Sequence, residues 1–526
     1  MPYYEPDESI KYILAMNKTK FFFRLSVLLL SVLILGSCSK DKEYTRVIPS
    51  NASLVISFDI QSIIKKSGLM DNKESIMKNL TASLNNEKLA KMVQNPSEAG
   101  LSLENKAYFF LTPEDKPAVL FKVSDQDKLE DAFELMQNEG ICDAVERNGD
   151  FSSAILRGYG ICAFDESTLV VLETTNARSL PVKEMVEKMM HNTEGVSIAS
   201  NKGFQKMIEK KSDIGLYGSF ASLPQLTSMS MSMGLPEDAD MRQMMVLAQI
   251  NFENGKVSME GEYYTENESL KAYIKKQAEM GGKINHTFLK RIPASSLAYI
   301  SMNVKGDKLY DMLMSGAEFK NMVRDSRLTP GFDLKKSVNS LKGDVAIAVT
   351  NVSANGTPSL LAYAEVTDPS AAGIVYAFKK DFDEVGLTVA SSGKNEYVVK
   401  SAMLPSPIRF GVRGNYFYLT NDDNLYKNIG KDVANSLANA KYENIKSDAK
   451  GYFVLDMDNV MKLPMVSSAF GRFGSQGNMV QSILAGFSYA EAYNKDDQKS
   501  VVNIYFKNKN ENVLKQLIAG LKKVLG

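Results

Sequence analysis

Two stretches decide how this chain is read. Ile48-Pro49 is followed seven residues later by Ile56-Ser57-Phe58-Asp59-Ile60, and Ile292-Pro293 is followed seven residues later by Ile300-Ser301-Met302-Asn303-Val304. Working outward, Lys122-Val123-Ser124-Asp125 matches Glu365-Val366-Thr367-Asp368. Ser212-Asp213 precedes Gly215-Leu216-Tyr217-Gly218-Ser219-Phe220, as Ser447-Asp448 precedes Gly451-Tyr452-Phe453-Val454-Leu455. Each half closes on a strand-like run and then a helical one, 257–264 before Leu270 and 501–506 before Leu514. Matches that keep their order along both halves are the signature of internal duplication. The expectation is two tandem copies of one domain, 45–280 and 285–526, with Gly281-Gly282-Lys283 as the natural boundary.

The elements of a copy are readable locally. Residues 54–60 are apolar and β-branched and predict a strand. Asp59 and Asn303 sit where that strand should run into a helix, each placed to accept from free N–H groups of the first turn; Ser124 and Thr367 occupy a similar join. Leu129, Ala132, Phe133 and Met136 fall at i, i+3, i+4 and i+7 and predict one apolar helical face. Leu514, Leu517, Ile518 and Leu521 repeat that pattern. Runs at 141–145, 151–156, 161–164 and 169–172 read as a strand meander, with Asn148-Gly149-Asp150 as a hairpin turn. Glu253-Asn254-Gly255 separates 246–252 from 257–264 in the same way. Strands joined by tight hairpins are antiparallel. The predicted class is α+β: two tandem copies of a domain with a largely antiparallel sheet flanked by helices.

Composition narrows the function. The 526 residues carry 62 Lys plus Arg and 62 Asp plus Glu, a formal net charge of zero, which excludes a strongly basic nucleic-acid binder. With 44% hydrophobic and 24% charged residues, a chain of this length buries sizeable cores and does not read as disordered.

The first residues read as an address. From Met16, the basic run Met16-Asn17-Lys18-Thr19-Lys20-Phe21-Phe22-Phe23-Arg24 leads into an apolar stretch over 25–36, then Leu35-Gly36-Ser37-Cys38. A basic start, a short apolar run and small residues before a cut describe a secretory signal peptide over 1–37. Glu5, Asp7 and Glu8 place acid ahead of the basic run, so Met16 is read as the true start. Leu-Gly-Ser-Cys resembles the lipobox of bacterial lipoproteins. The resemblance implies cleavage before Cys38 and lipidation of its thiol, with 38–44 a lipidated tether. Several acyl chains supply a stable hold. Asp directly after the cysteine, the inner-membrane retention signal, is absent, so an outer-membrane location is implied. Lys40-Asp41-Lys42-Glu43 is either a surface-export signal or a solvated tether, which leaves the cell surface and the periplasmic face both open. Residues 1–37 hold four basic and three acidic side chains, leaving 58 against 59 and a net charge of −1, so membrane binding falls to lipid rather than to a basic surface.

The chemistry is mostly negative. There is no phosphate loop, and Gly158-Tyr159-Gly160 lacks the third glycine of a dinucleotide loop. His191 and His286, the two histidines, are isolated and read as surface or linker residues, which leaves no Ser-His-Asp arrangement and no histidine-rich zinc site. Three acidic clusters, Glu237-Asp238-Ala239-Asp240, Asn421-Asp422-Asp423-Asn424 and Asp456-Met457-Asp458, lack calcium-loop spacing and read as turns or helix caps. Cys142 and Cys162 each follow Gly-Ile. They are either a disulfide, which an exported compartment permits, or two small buried hydrophobes separated by the strand 151–156. Ser228-Met229-Ser230-Met231-Ser232-Met233-Gly234, with Met241, Met244 and Met245 following, reads as loop plus core, with a partner or lipid contact and a Cu(I) site of soft thioethers as the other readings. No tryptophan and 23 tyrosines lower, without removing, the case for a glycan ligand.

The lipobox, the Ile-Pro opening and the duplicated layout together resemble a family of large lipoproteins of unknown function from gut Gram-negative bacteria. That resemblance implies location and architecture and supplies no catalytic residues. The expected function is a lipid-anchored, non-enzymatic envelope protein. It contacts the membrane through its N-terminal lipid and binds a protein or glycan ligand through loops or the interdomain cleft, with no cofactor, no metal and no nucleic acid. The alternative is an envelope or glycan hydrolase using a carboxylate pair.

Overall fold

The computed structural model describes residues 44–68, 86–193, 196–222, 240–325 and 331–525. The leader 1–37, Cys38 and the Met229–Met233 run lie outside the described residues. The described chain packs as two compact units. One takes the chain up to Gly218 with Gln249–Phe252 and Leu514–Gln516; the other takes Ser219–Ala248, Glu253–Val513 and the chain from Leu517 on.

In the first unit, β1 (Leu54–Phe58) is flanked antiparallel by β2 (Ala107–Leu111) and β8 (Ile214–Ser219). Outward from β2 follow β3 (Pro117–Lys122), β7 (Thr168–Glu173), β6 (Gly160–Phe164), β5 (Phe151–Leu156) and β4 (Glu146–Asn148). Helix α1 (Ile60–Ser67) starts where expected: Asp59 is its N-cap and accepts from the Ser62 N–H at 2.9 Å. Helix α2 (Glu87–Gln94) and helix α3 (Gln126–Asn138) follow. Helix α3 buries Leu129, Ala132 and Phe133, as its spacing predicts, and Phe133 stacks on Phe164 with ring centroids 5.0 Å apart.

In the second unit, β11 (Ala298–Lys305) is flanked by β12 (Leu341–Val352) and β18 (Gly451–Asp456). Outward from β12 come β13 (Pro358–Val366), β17 (Tyr416–Thr420), β16 (Ile408–Arg413), β15 (Glu396–Lys400) and β14 (Thr388–Gly393). The pairing order around β11 repeats the order around β1. Beyond β18 lie β19 (Phe487–Asn494) and β20 (Lys499–Phe506). The core under β11 is rich in tyrosine: Tyr299, Tyr363, Tyr418, Tyr452 and Tyr505 are all buried.

The expectation of two tandem domains, each with its own sheet, is corrected here. Among the described residues, the strands belong to one twenty-stranded antiparallel sheet. β9 (Met245–Glu253) and β10 (Lys256–Tyr264) form the expected hairpin, with Gly255 at φ 64°. But β10 does not end a sheet. It pairs with β20 from Lys256 opposite Tyr505 to Glu262 opposite Lys499. The physical reason is the edge. A strand ending a sheet exposes a row of unpaired N–H and C=O groups, and here two such edges satisfy each other. The α+β class stands. One cap expectation also fails: β11 runs on to Lys305, so Asn303 lies within the strand and does not cap a helix.

Candidate functional site

In the second unit, helix α4 (Glu268–Glu279) begins at Asn267, whose side chain accepts from the Leu270 N–H at 3.2 Å. It buries Leu270 and Tyr273 beside Phe220 and Met244. After it the chain passes close over β11. A side chain on Gly281 would stand 2.3 Å from the Asn303 carbonyl oxygen, so only glycine fits there. The Gly282 N–H donates to Asn303 Oδ1 at 3.1 Å, and Asn303 Nδ2 donates to Asp344 Oδ1 at 3.1 Å. Asp344 is buried and also accepts from the Asn285 and Thr287 N–H groups at 2.9 and 3.0 Å. One aspartate on β12 thus pins the turn that follows α4.

Opposite that turn stands the tip of the β19–β20 hairpin. Asn494 Nδ2 donates to Ser500 Oγ at 3.2 Å. Asp496 accepts from the N–H groups of Gln498 and Lys499 at 2.9 and 2.8 Å. Burial pushes its carboxyl up, but those N–H groups and the lysines at 499 and 495 outweigh it and hold it below the usual range. Lys450 donates to the Ala278 carbonyl at 3.0 Å and pairs with Asp497, so it joins the C-terminal end of α4 to the hairpin.

Between these walls is a cleft of about 540 Å³. Tyr263, Met302, Gly451, Asn494, Lys450 and the two aspartates are among its lining. The volume falls in the range of small-molecule sites, roughly 300–1,000 Å³. The lining offers amides, one ammonium, carboxylates and apolar surface. This is a set that binds and orients.

A smaller cavity lies in the first unit, about 160 Å³ and lined by apolar side chains from α2, α3 and the sheet, Phe121, Phe133 and Cys162 among them. Cys142 and Cys162 are both free and buried. β5 separates them: Cys142 bridges Leu156 on one side and Cys162 pairs Ala154 on the other. Two ladder spacings and a two-residue offset along β5 put their Cα atoms about 12 Å apart, beyond the roughly 7 Å limit of a disulfide. Burial pushes the Cys162 thiol up to about 12 and raises Cys142 as well, the reverse of what a reactive thiol needs.

The other sequence candidates have structural partners. Asp422 and Asp456 are N-caps, as the cap reading predicts. Asp240 caps a short turn and holds Arg242. His191 contacts Asp150 at 2.9 Å at the end of a surface helix. Among the described residues no group of three or more His, Cys, Asp or Glu is placed to hold a metal ion. Carboxylate pairs that share a partner among the described residues include Asp456 and Asp458 on Lys441 at 3.2 and 2.6 Å, and Glu443 and Glu491 on the Tyr505 hydroxyl at 3.0 and 2.8 Å. Glu491 is fully buried and takes further bonds from Tyr452 and Asn444. Sequence reasoning missed this network, although the tyrosines at alternate strand positions were its signal.

Fold and cleft together define the class: an α+β protein built on one very wide antiparallel sheet that carries a ligand-sized cleft. The chain belongs to the family described as a domain of unknown function (DUF4836), which matches residues 44–514. No curated protein matches. Among solved structures, crystal form I of TP0453 is similar at 9% identity and a TM-score of 0.26, over 47% of this chain and 89% of that one.

Proposed function

We propose that this protein is a lipid-anchored lipoprotein of the outer membrane, from a two-repeat family of gut Gram-negative bacteria, and that it binds a ligand in the cleft beside β11 without transforming it. The observation that carries the binding reading is the cleft itself. It has ligand-sized volume, and its polar groups are tied into fixed positions by Asp344, Lys450 and the β19–β20 tip. The anchor reading rests on Leu35-Gly36-Ser37-Cys38 and on the tether length. Tyr44 is buried, with its hydroxyl on the Lys106 carbonyl, and six residues extend at most about 20 Å. A lipid on Cys38 therefore keeps the first unit close to the bilayer. No helix among the described residues is long and apolar enough to cross a membrane.

The hydrolase alternative gains no specific observation. A general acid needs a carboxyl raised toward neutral pH, and Asp458, Asp496 and Glu396 are all shifted down. Two measurements test the proposal. Metabolic labelling with an alkyne fatty acid should mark the wild type and not Cys38→Ala. Incubation of the purified chain with peptidoglycan and envelope glycans should release no fragments. An unlabelled wild type overturns the anchor, and turnover overturns the binding role.

A further inference from the structure

The side of the sheet that carries the cleft is apolar far beyond the cleft. Strand register defines its rows. Met259 on β10 faces Val502 on β20, which faces Ala492 on β19; Ala492 faces Phe453 on β18, which faces Ile300 on β11, which faces Ile347 on β12. This row crosses six strands without a polar side chain. Met259, Val502, Ala492 and Ile300 are half-buried, and Phe453 and Ile347 are 38% and 42% exposed. Two residues further along each strand, a second row from Val257 through Ile504 and Leu455 to Val349 is again apolar and half-buried. Two residues in the other direction, Ser500, Asn494, Gly451 and Met302 enter the cleft lining. The opposite face of β11, β12, β18, β19 and β20 packs on the buried tyrosine core, so these rows are the sheet's second face.

The geometry points to a long-chain amphiphile as the ligand: its hydrocarbon chain lies across β18, β11 and β12 on this belt and its polar head sits in the cleft by Lys450 and Asn494. The inference rests on the cleft being a ligand site and names the ligand's chemistry. Three observations carry it. The belt offers no hydrogen-bonding or charged side chain over six strands, whereas protein interfaces place roughly one hydrogen bond per 100–200 Å². Five ladder spacings make the belt about 24 Å long, and adjacent rows are about 7 Å apart. A chain that spans one leaflet is about 15 Å long, so it fits with room to spare. Finally, the belt opens at one side into the polar groups of the cleft, the order of parts in an amphiphile.

The core clusters of both units lie within residues 60–505, so the chain from Ser39 on serves as test material free of its own lipid. Its fluorescence titration with cis-parinaric acid should saturate. In competition, lysophosphatidylcholines should tighten by up to about fourfold per added methylene. Ile347→Lys and Phe453→Lys should each weaken binding by at least about tenfold, since they place a charge against hydrocarbon. Leu180→Lys, at a 68% exposed position on a surface helix of the first unit, should bind as wild type. Circular dichroism confirms that each variant is folded. Absence of saturable binding overturns the inference, and so does equal binding by both belt variants. Binding independent of chain length, matched by glycerophosphocholine, leaves the cleft as a ligand site and overturns the hydrocarbon assignment. A wild-type dimer that Ile347→Lys makes monomeric assigns the belt to a second copy and overturns it too. The anchor is read separately, by labelling at Cys38.

Discussion

At the scale of single residues, the cleft depends on a few placements that chain geometry enforces. Gly281 is one. Its neighbour is the Asn303 backbone oxygen, which cannot swing aside, so Gly281→Ala should destabilise by about 1–3 kcal/mol. Urea unfolding measures this, and an unchanged midpoint would mean that the turn relaxes freely. Asp458 is another. Burial pushes its carboxyl up, but Lys441, Lys507 and Ser488 outweigh that and hold it down to about 2, against an ordinary 3.8. A folded value below the unfolded one stabilises above about pH 4 and is lost as pH falls through about 2. The contribution is at most about 2 kcal/mol, reduced by solvent screening. Asp458→Asn should therefore cost stability at pH 6, and the difference from wild type should vanish by about pH 2. A difference that persists there would place its origin in packing. Residues such as Asp59, Asp422 and Asp456 were legible in the sequence because capping is a local act. Asn303 was not, because its partners Gly282 and Asp344 lie 21 and 41 residues away.

At the scale of elements, strands and hairpins were largely legible, and their assembly was not. Alternation and Asn-Gly turns depend on neighbours in sequence, so β1, β5, β9 and β10 fall where the residues put them. The pairing of β10 with β20 depends on two edges separated by more than two hundred residues, and nothing in either strand names its partner. The same holds for the belt. Its rows exist only once six strands are in register, whereas each strand alone reads as an ordinary half-buried element. Hydrogen exchange tests the merged sheet. With partners on both sides, the amides of β10 from Val257 to Glu262 should be protected to the same degree as those of β20. Fast exchange at alternate β10 positions, the pattern of a free edge, would contradict the single sheet.

At the scale of the whole molecule, the proposed lipid anchor is joined to the proposed binding face. The proposed anchor rests on about twenty residues that resemble a lipoprotein signal ending at Cys38. Matched strands in the sequence point to two tandem domains, which the structure corrects to one sheet. Little of the candidate site was legible. Of its lining, the sequence singled out Gly281 as a boundary and Phe220, Tyr263, Gly451 and the Ile300–Val304 signature within strand-like runs, with no hint that they share a cleft with Lys450 and Asn494. The most direct test is to photo-crosslink a diazirine-bearing fatty acid to the chain and map the adducts by peptide mass spectrometry. The account predicts adducts concentrated on the strands that bear Met302, Ile347 and Phe453, lost on competition with unlabelled fatty acid. Adducts concentrated instead around Phe121 and Phe133 in the first unit's small cavity, or scattered without competition, would contradict it.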